Sequence, residues 1–264
     1  VSERELQLER IQLRSPFFPS KVGGKPAWLD YDGLNELALD CAGCKSQLTF
    51  LLQIYAPVNA SNENVKLEQM ENVDNMFHRT IFTFVCTNGE CKRRSFKAIR
   101  SQLPLNNEFY SAEAPPSVSL ESDTADAEAI ESSLIVVRDH LASFYKRLHE
   151  RKQFSLCNVC GIPSGKRCAK CTICCYCTQE HQALDWSKLG HKLVCSKYAE
   201  MMSVSVDDLF KQYALDESEK KKQADSSTSS VPFPEYEISI EPEYLDDIRL
   251  EESTKKLKLD EKSK

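Results

Sequence analysis

Residues 171–181 read CTICCYCTQEH, four cysteines and a histidine in eleven positions, more sulfur than one metal ion can use. Outward from this stretch the spacing becomes regular: Cys157-x2-Cys160, Cys168-x2-Cys171, Cys177-x3-His181 and His191-x3-Cys195. Four pairs make eight ligands, enough for two tetrahedral zinc sites of three sulfurs and one imidazole each. A Cys-x2-Cys knuckle brings two thiolates to one ion, and an x3 spacing on a helix puts both side chains on one face. So short a segment, with few large apolar residues, builds no core of its own. Metal binding has to supply its folding free energy, on the order of 10 kcal/mol per site. Spacing alone permits sequential filling of the two sites as well as interleaving. Cys174 and Cys175 are surplus; they read as small buried hydrophobes, with redox chemistry as the other reading.

The chain has 264 residues, a net charge of −6 and twelve cysteines. Such a length accommodates one or two domains with cores of their own, and the charge gives no general affinity for nucleic acid. The opening stretch VSERELQLER has no apolar core of a secretory signal. The apolar runs around FLLQIYAPV and LIVV are too short to span a bilayer. No membrane association is expected, and a reducing compartment turns the cysteines toward metal rather than disulfides. The chain opens on Val rather than Met, which suggests a piece of a longer protein.

Upstream, SPFFPSKVGGKPAWL at 15–29 reads as an ordered loop. Its Gly23-Gly24 pair is turn chemistry, since a phosphate loop would end in Gly-Lys-Ser/Thr. LTFLLQIYA (48–56), RTIFTFVC (79–86) and SFKAIRSQL (95–103) read as antiparallel strands. They place a small β domain over residues 1–110. Residues 111–133, with six acids, no bases and two prolines, read as a disordered linker. A helix over 134–153 follows, with Leu134, Val137, Leu141, Phe144, Tyr145 and Leu148 on one face and Ser132 or Ser133 as its cap. His140 and His149 on it are assigned to packing or surface. The finger occupies 154–198, short helices 199–214 and a linker 215–230. In 231–264, FPEYEISIE at 233–241 is a strand without a partner, followed by a charged tail.

Cys41-x2-Cys44 precedes the first strand and Cys86-x4-Cys91 follows the second, so antiparallel pairing puts both at one end of the ribbon. That is the geometry of a third, four-cysteine zinc site, with unligated cysteines as the alternative.

The pattern ending CYCTQEHQALDWSKLGHKLVC resembles a MYND-type zinc finger. The resemblance implies an interleaved arrangement: one zinc on Cys157, Cys160, Cys177 and His181, the other on Cys168, Cys171, His191 and Cys195. Thr178 caps a short helix, Glu180 sits at its positive end and Gly190 closes it. Gln182 and Trp186, four apart, share a helix face. In MYND fingers the matching pair flanks a shallow groove for proline-containing peptides. Packing of Trp186 on the finger's own small core is the alternative. Segment 151–198 is basic, eight Lys/Arg against two Asp/Glu, but shows no recognition-helix or aromatic-basic pattern. Direct nucleic-acid binding is not expected.

The blocks FPSKVGGKPAWL, CAGCKSQLTFLLQIYAP, FHRTIFTFVC, IRSQLPLNNEFY and FPEYEISIE, in that order, look like the programmed cell death protein 2 family, with the finger between the last two. The implied architecture is a small β-rich N-terminal domain with a four-cysteine zinc site, joined by disordered linkers to a cross-braced two-zinc MYND finger with short helices. The resemblance implies a nuclear and cytoplasmic, non-enzymatic adaptor or chaperone for a newly made small-subunit ribosomal protein. Its role would be to support ribosome biogenesis, with links to apoptosis, cell proliferation and transcriptional co-regulation. Members continue after FPEYEISIE into a further cysteine-bearing domain, of which this chain would hold only the onset. The acidic linker is longer than the family pattern suggests. Catalysis is not expected: no Ser-His-Asp, paired-carboxylate or open-metal pattern is visible, nor the cofactor signature of SET-domain methyltransferases.

Overall fold

The computed structural model describes residues 9–57, 77–116, 127–151, 155–201 and 233–239. Five antiparallel strands form the main sheet: β1 (Lys21–Val22), β2 (Thr49–Tyr55), β3 (His78–Val85), β4 (Phe96–Leu103) and β7 (Tyr236–Glu237), in the order β4-β3-β2-β1-β7. A second, two-stranded sheet pairs β5 (Lys166–Arg167) with β6 (Cys175–Tyr176). Among the described residues the longer helices are α1 (Ala127–Arg151), α2 (Gln179–Ser187) and α3 (His191–Met201). None of the described helices is long and apolar enough to cross a membrane.

Strand alternation decides which face of the sheet is covered. On β3, His78, Thr80, Phe82 and Phe84 are buried, while Arg79, Ile81, Thr83 and Val85 face outward. Phe50 and Gln53 of β2 lie opposite Phe84 and Phe82 on the covered side. The loop 15–29 folds over this face. Phe18 stacks on His78 at 4.5 Å, and Trp28 meets Phe82 at 4.9 Å. Gln53 is the polar member of this layer; it accepts from the Ala27 N–H at 2.8 Å and donates to the Pro19 carbonyl at 2.9 Å.

α1 closes the core from the other side. Leu134, Val137, Leu141, Phe144 and Leu148 are buried on the expected stripe, and Phe144 stacks on Tyr110 at 5.2 Å. Arg147 donates to the Phe109 carbonyl at 3.0 Å. His140 packs its ring 5.3 Å from Phe17; the His149 side chain lies outside the described residues.

The structure departs from the sequence reading in three places. α1 begins at Ala127, inside the stretch read as linker, because Ala and Glu favour helix and acids suit a helix N-terminus. Ser132 and Ser133 are therefore interior residues rather than caps. Residues 117–126 of that stretch, 202–230 and the tail 240–264 lie outside the described residues. FPEYEISIE has a partner after all: Tyr236 and Glu237 pair with Val22 and Lys21 at the sheet edge. Its described part thus completes the N-terminal sheet. A two-residue edge such as β1 leaves no periodic pattern, so the pairing was invisible in the sequence.

Candidate metal centres

Three Cys-x2-Cys knuckles share one backbone design. The residue after each second cysteine adopts a left-handed conformation: Lys45 (φ 61°), Gly161 (φ 72°) and Thr172 (φ 59°). In each case its N–H returns to the carbonyl of the first cysteine, Cys41 at 3.0 Å, Cys157 at 2.8 Å and Cys168 at 2.9 Å. The turn holds both sulfurs on one side of the chain.

In the N-terminal domain the donor atoms of Cys41, Cys44, Cys86 and Cys91 all lie within 4.8 Å of one another. Cys41 Sγ is 3.8 Å from Cys91 Sγ, and Cys44 Sγ is 3.7 Å from Cys86 Sγ. A tetrahedron with metal–sulfur bonds of about 2.3 Å has edges of about 3.8 Å, so the four thiols fit zinc. The β2–β3 pairing brings the halves together, and Gly43 lets them close, since a Cβ there would meet the Arg93 carbonyl at 2.5 Å. The Ser95 hydroxyl, 3.3 Å from Cys41 Sγ, and the Cys44 backbone lower that thiol to about 5. Burial pushes Cys86 up to about 12.

The finger holds two further clusters, and both are interleaved. Cys157, Cys160, Cys177 and His181 form one; Cys168, Cys171, His191 and Cys195 form the other. In the first, Cys160 and Cys177 are 3.5 Å apart and His181 Nδ1 is 3.5 Å from Cys157 and 3.0 Å from Cys177. These thiols raise His181 to about 10. A metal-bound imidazole is neutral, so loading this site releases protons. In the second, Cys168 and Cys195 are 3.8 Å apart, and His191 Nε2 is 3.4 Å from Cys168 and 3.8 Å from Cys171. The two histidines thus present different ring nitrogens. None of the twelve cysteines is in a disulfide.

Cys174 has a definite place. Its sulfur lies 3.5 Å from His191 Nδ1, behind the ligating edge of the ring. An imidazole that ligates through Nε2 carries its proton on Nδ1, which donates to that sulfur. Asp185, buried in α2, approaches the same side and accepts from Tyr176 Oη at 2.8 Å and Asn158 Nδ2 at 2.5 Å. Cys174, Asp185 and His191 come within metal-binding distance of one another, but they share His191 with the second cluster and support it from behind. Cys175 is buried in β6 with its sulfur toward the Ile173 carbonyl.

The finger is not freestanding. Trp28, 2% exposed, donates Nε1–H to the Gly161 carbonyl at 2.8 Å, and Lys25 Nζ donates to the Asn158 carbonyl at 2.6 Å. Ile162 belongs to the N-terminal core, with Leu156 and Cys160 packed against it. A Cβ on Gly161 would meet Lys25 Cβ at 3.0 Å and Pro26 Cδ at 3.1 Å. Sequence reasoning missed Trp28, Lys25, Asn158 and Asp185. The only available signal was a tryptophan in a loop otherwise rich in Pro and Gly.

Thr178 caps α2 by accepting from the His181 N–H at 3.2 Å. Gly190 (φ 89°) turns the chain from α2 into α3. Gln182 and Trp186 are exposed on α2; Trp186 is 38% exposed and rests one side on His191, with ring centroids 5.7 Å apart. Leu193 on α3 is exposed as well.

Residues 4–117 match the family described as Programmed cell death protein 2, N-terminal domain, and residues 157–195 match the MYND finger. The chain is similar to Programmed cell death protein 2 of Bos taurus, 36% identical over 233 residues, 88% of this chain and 52% of that protein. It is 38% identical over 190 residues to the protein of that name from Mus musculus, 70% of this chain and 45% of the other. Probable 20S rRNA accumulation protein 4 of Schizosaccharomyces pombe is 29% identical over 101 residues, 37% of this chain and 22% of that protein. The chain spans about half the length of the mammalian relatives. No solved structure matches.

Proposed function

The chain belongs to the programmed cell death protein 2 family, carrying that family's N-terminal domain and a zinc-binding MYND finger, and we propose on that footing that it is an adaptor held in shape by three zinc ions. Its client is a newly made protein of the small ribosomal subunit, and its role is support of ribosome biogenesis in cytoplasm and nucleus. The observation that carries the adaptor reading is the closure of all three clusters by four protein donors each, the signature of structural rather than catalytic zinc. The ribosomal part draws support from the yeast relative named for 20S rRNA accumulation. Native mass spectrometry of protein purified without added metal should give three zinc ions per chain. Two would restrict the metal to the finger. Small-subunit ribosomal proteins, translated in the presence of the chain, should include one that it retains in soluble form. Retention of none rejects the client assignment.

A second reading rests on α2. Exposed Gln182 and Trp186 form a platform for proline-containing peptides of transcriptional regulators. Trp186→Ala separates the two. Loss of such peptides with the ribosomal client retained assigns the platform to co-regulation. Loss of the ribosomal client makes the finger the client site.

A further inference from the structure

Lys21 is a cation buried in an aromatic domain, 1% exposed, and the glycines beside it stand where side chains are excluded. Both oddities have one occupant, residues 233–239. Lys21 Nζ donates to the Leu13 carbonyl at 3.0 Å and to Glu235 Oε1 at 2.6 Å. A Cβ on Gly23 (φ 72°) would run into the Pro234 carbonyl, and one on Gly24 (φ 67°) into the Glu235 carboxylate. The Gly24 N–H bonds the Phe233 carbonyl at 3.1 Å, and the Ile238 N–H bonds the Ser20 carbonyl at 2.8 Å. A two-residue ladder is therefore only the visible part of a seat engaged along most of a seven-residue segment.

We propose that β1, Lys21 and the Gly23-Gly24 turn form a peptide-binding slot for an extended aromatic-Pro-Glu-aromatic-Glu segment, filled here by residues 233–239 of the same chain. The backbone of β1 supplies strand pairing, Lys21 reads the first carboxylate, and the glycine pair admits the proline carbonyl where no side chain fits. The sheet of the N-terminal domain is thus completed by chain from beyond the finger, and the finger is carried in a closed loop between two docking points. The slot is specific because its parts are costly when empty. Without the segment Lys21 loses its carboxylate and keeps only the Leu13 carbonyl as a described partner. Burial already lowers this lysine to about 8 against the opposing pull of Glu235.

The test uses the full chain, carrying Trp186→Phe so that Trp28 is its one tryptophan, with a protease recognition sequence inserted between residues 202 and 232. After cleavage of the folded protein, the C-terminal fragment should stay bound through gel filtration at micromolar concentration. A synthetic peptide of residues 231–241, VPFPEYEISIE, should displace it. The same peptide with Glu235→Gln should displace it on the order of thirtyfold less well, because it leaves a buried lysine without its charge partner. Gly23→Ala in the chain should release the fragment on cleavage, with blue-shifted Trp28 emission reporting an intact core. Should that variant fail to fold, the peptide comparison on the native chain still decides. A fragment that separates at once while Trp28 stays buried overturns the proposal, as does a Glu235→Gln peptide that competes as well as its parent.

Discussion

The two halves of the finger bind metal with the same chemistry and are held in place by different things. The knuckle at 157–160 sits against the N-terminal domain, with Trp28 and Lys25 donating to its backbone and Ile162 in that domain's core. The knuckle at 168–171 faces the finger's own interior, where Cys174 and Asp185 back His191. One half is therefore part of the domain wall. The other carries α3 through His191 and Cys195, and α2 spans the two halves, with His181 in the first cluster and Asp185 behind the second. Gln182, Trp186 and Leu193 are exposed on these helices. Equal ligand sets do not make equal roles; the difference lies in what the knuckle backbone touches.

The strongest way to break this comparison is to empty the halves separately. In a Trp186→Phe background, Trp28 is the only tryptophan left, since the chain has two. Cys160→Ser should then red-shift its emission and destabilise the N-terminal domain by about 3 kcal/mol or more, through lost metal and a lost docking surface. Cys171→Ser should also cost one zinc and melt α3, which carries His191 and Cys195, yet leave α2 tethered through His181 and Trp28 buried. Equal red shifts in both variants would mean that the finger behaves as one unit and that the docked knuckle has no special standing.

A milder cut removes the docking and keeps the metal. Gly161→Ala forces a side chain into a left-handed residue and against Lys25 and Pro26, at a cost of about 1–2 kcal/mol. Thr172 holds the same position in the other knuckle, where its described hydrogen bonds are to Arg167, Cys168 and Cys171 of the finger itself, so Thr172→Gly should stay within about 1 kcal/mol of the parent. Thermal melts compare the two, and native mass spectrometry should give the parent zinc count for both. A Gly161→Ala melt that coincides with the parent's would remove the close approach from the account of docking.

The second half is sharpened by Asp185→Asn. The amide keeps the shape but loses the carboxylate that gathers Tyr176, Asn158 and the Nδ1 side of His191. Zinc at the second cluster should bind on the order of tenfold more weakly in competition with a chromogenic chelator. The first cluster should change less, because Asn158 is held from its other side by Lys25 and the Cys175 carbonyl.

Much of this arrangement was legible in the residues. Alternation in RTIFTFVC and the stripe from Leu134 to Leu148 announce elements whose apolar faces must be covered, and ligand spacing announces the knuckles. The interleaving of the clusters was not in the spacing, which tolerates sequential filling equally well; it came with the family resemblance. The knuckle turn was readable only at Gly161, because Lys45 and Thr172 take the same left-handed conformation without a glycine to advertise it. Trp28 looked like loop because its partner, the Gly161 carbonyl, is a backbone atom 133 residues away. Gly23-Gly24 read as bland turn chemistry for the same reason: the Pro234 carbonyl that requires it is supplied by a segment whose register no local pattern encodes.

The smallest effect concerns the doubled cysteine at 174–175. Cys174 stands against the proton-bearing nitrogen of a metal-binding histidine, whereas Cys175 only fills a place beside the Ile173 carbonyl. If the contact with His191 matters beyond packing, Cys174→Ala should lose about 1 kcal/mol and Cys174→Ser should recover part of it, since a hydroxyl accepts a hydrogen bond where a methyl cannot. The same pair of substitutions at Cys175 should run the other way, with Ser no better than Ala, because a buried hydroxyl there gains little over an apolar filler. Chemical denaturation of the zinc-loaded protein resolves the two series. Identical orderings at both positions would return Cys174 to the role of a small hydrophobe and leave Asp185 alone behind the second cluster.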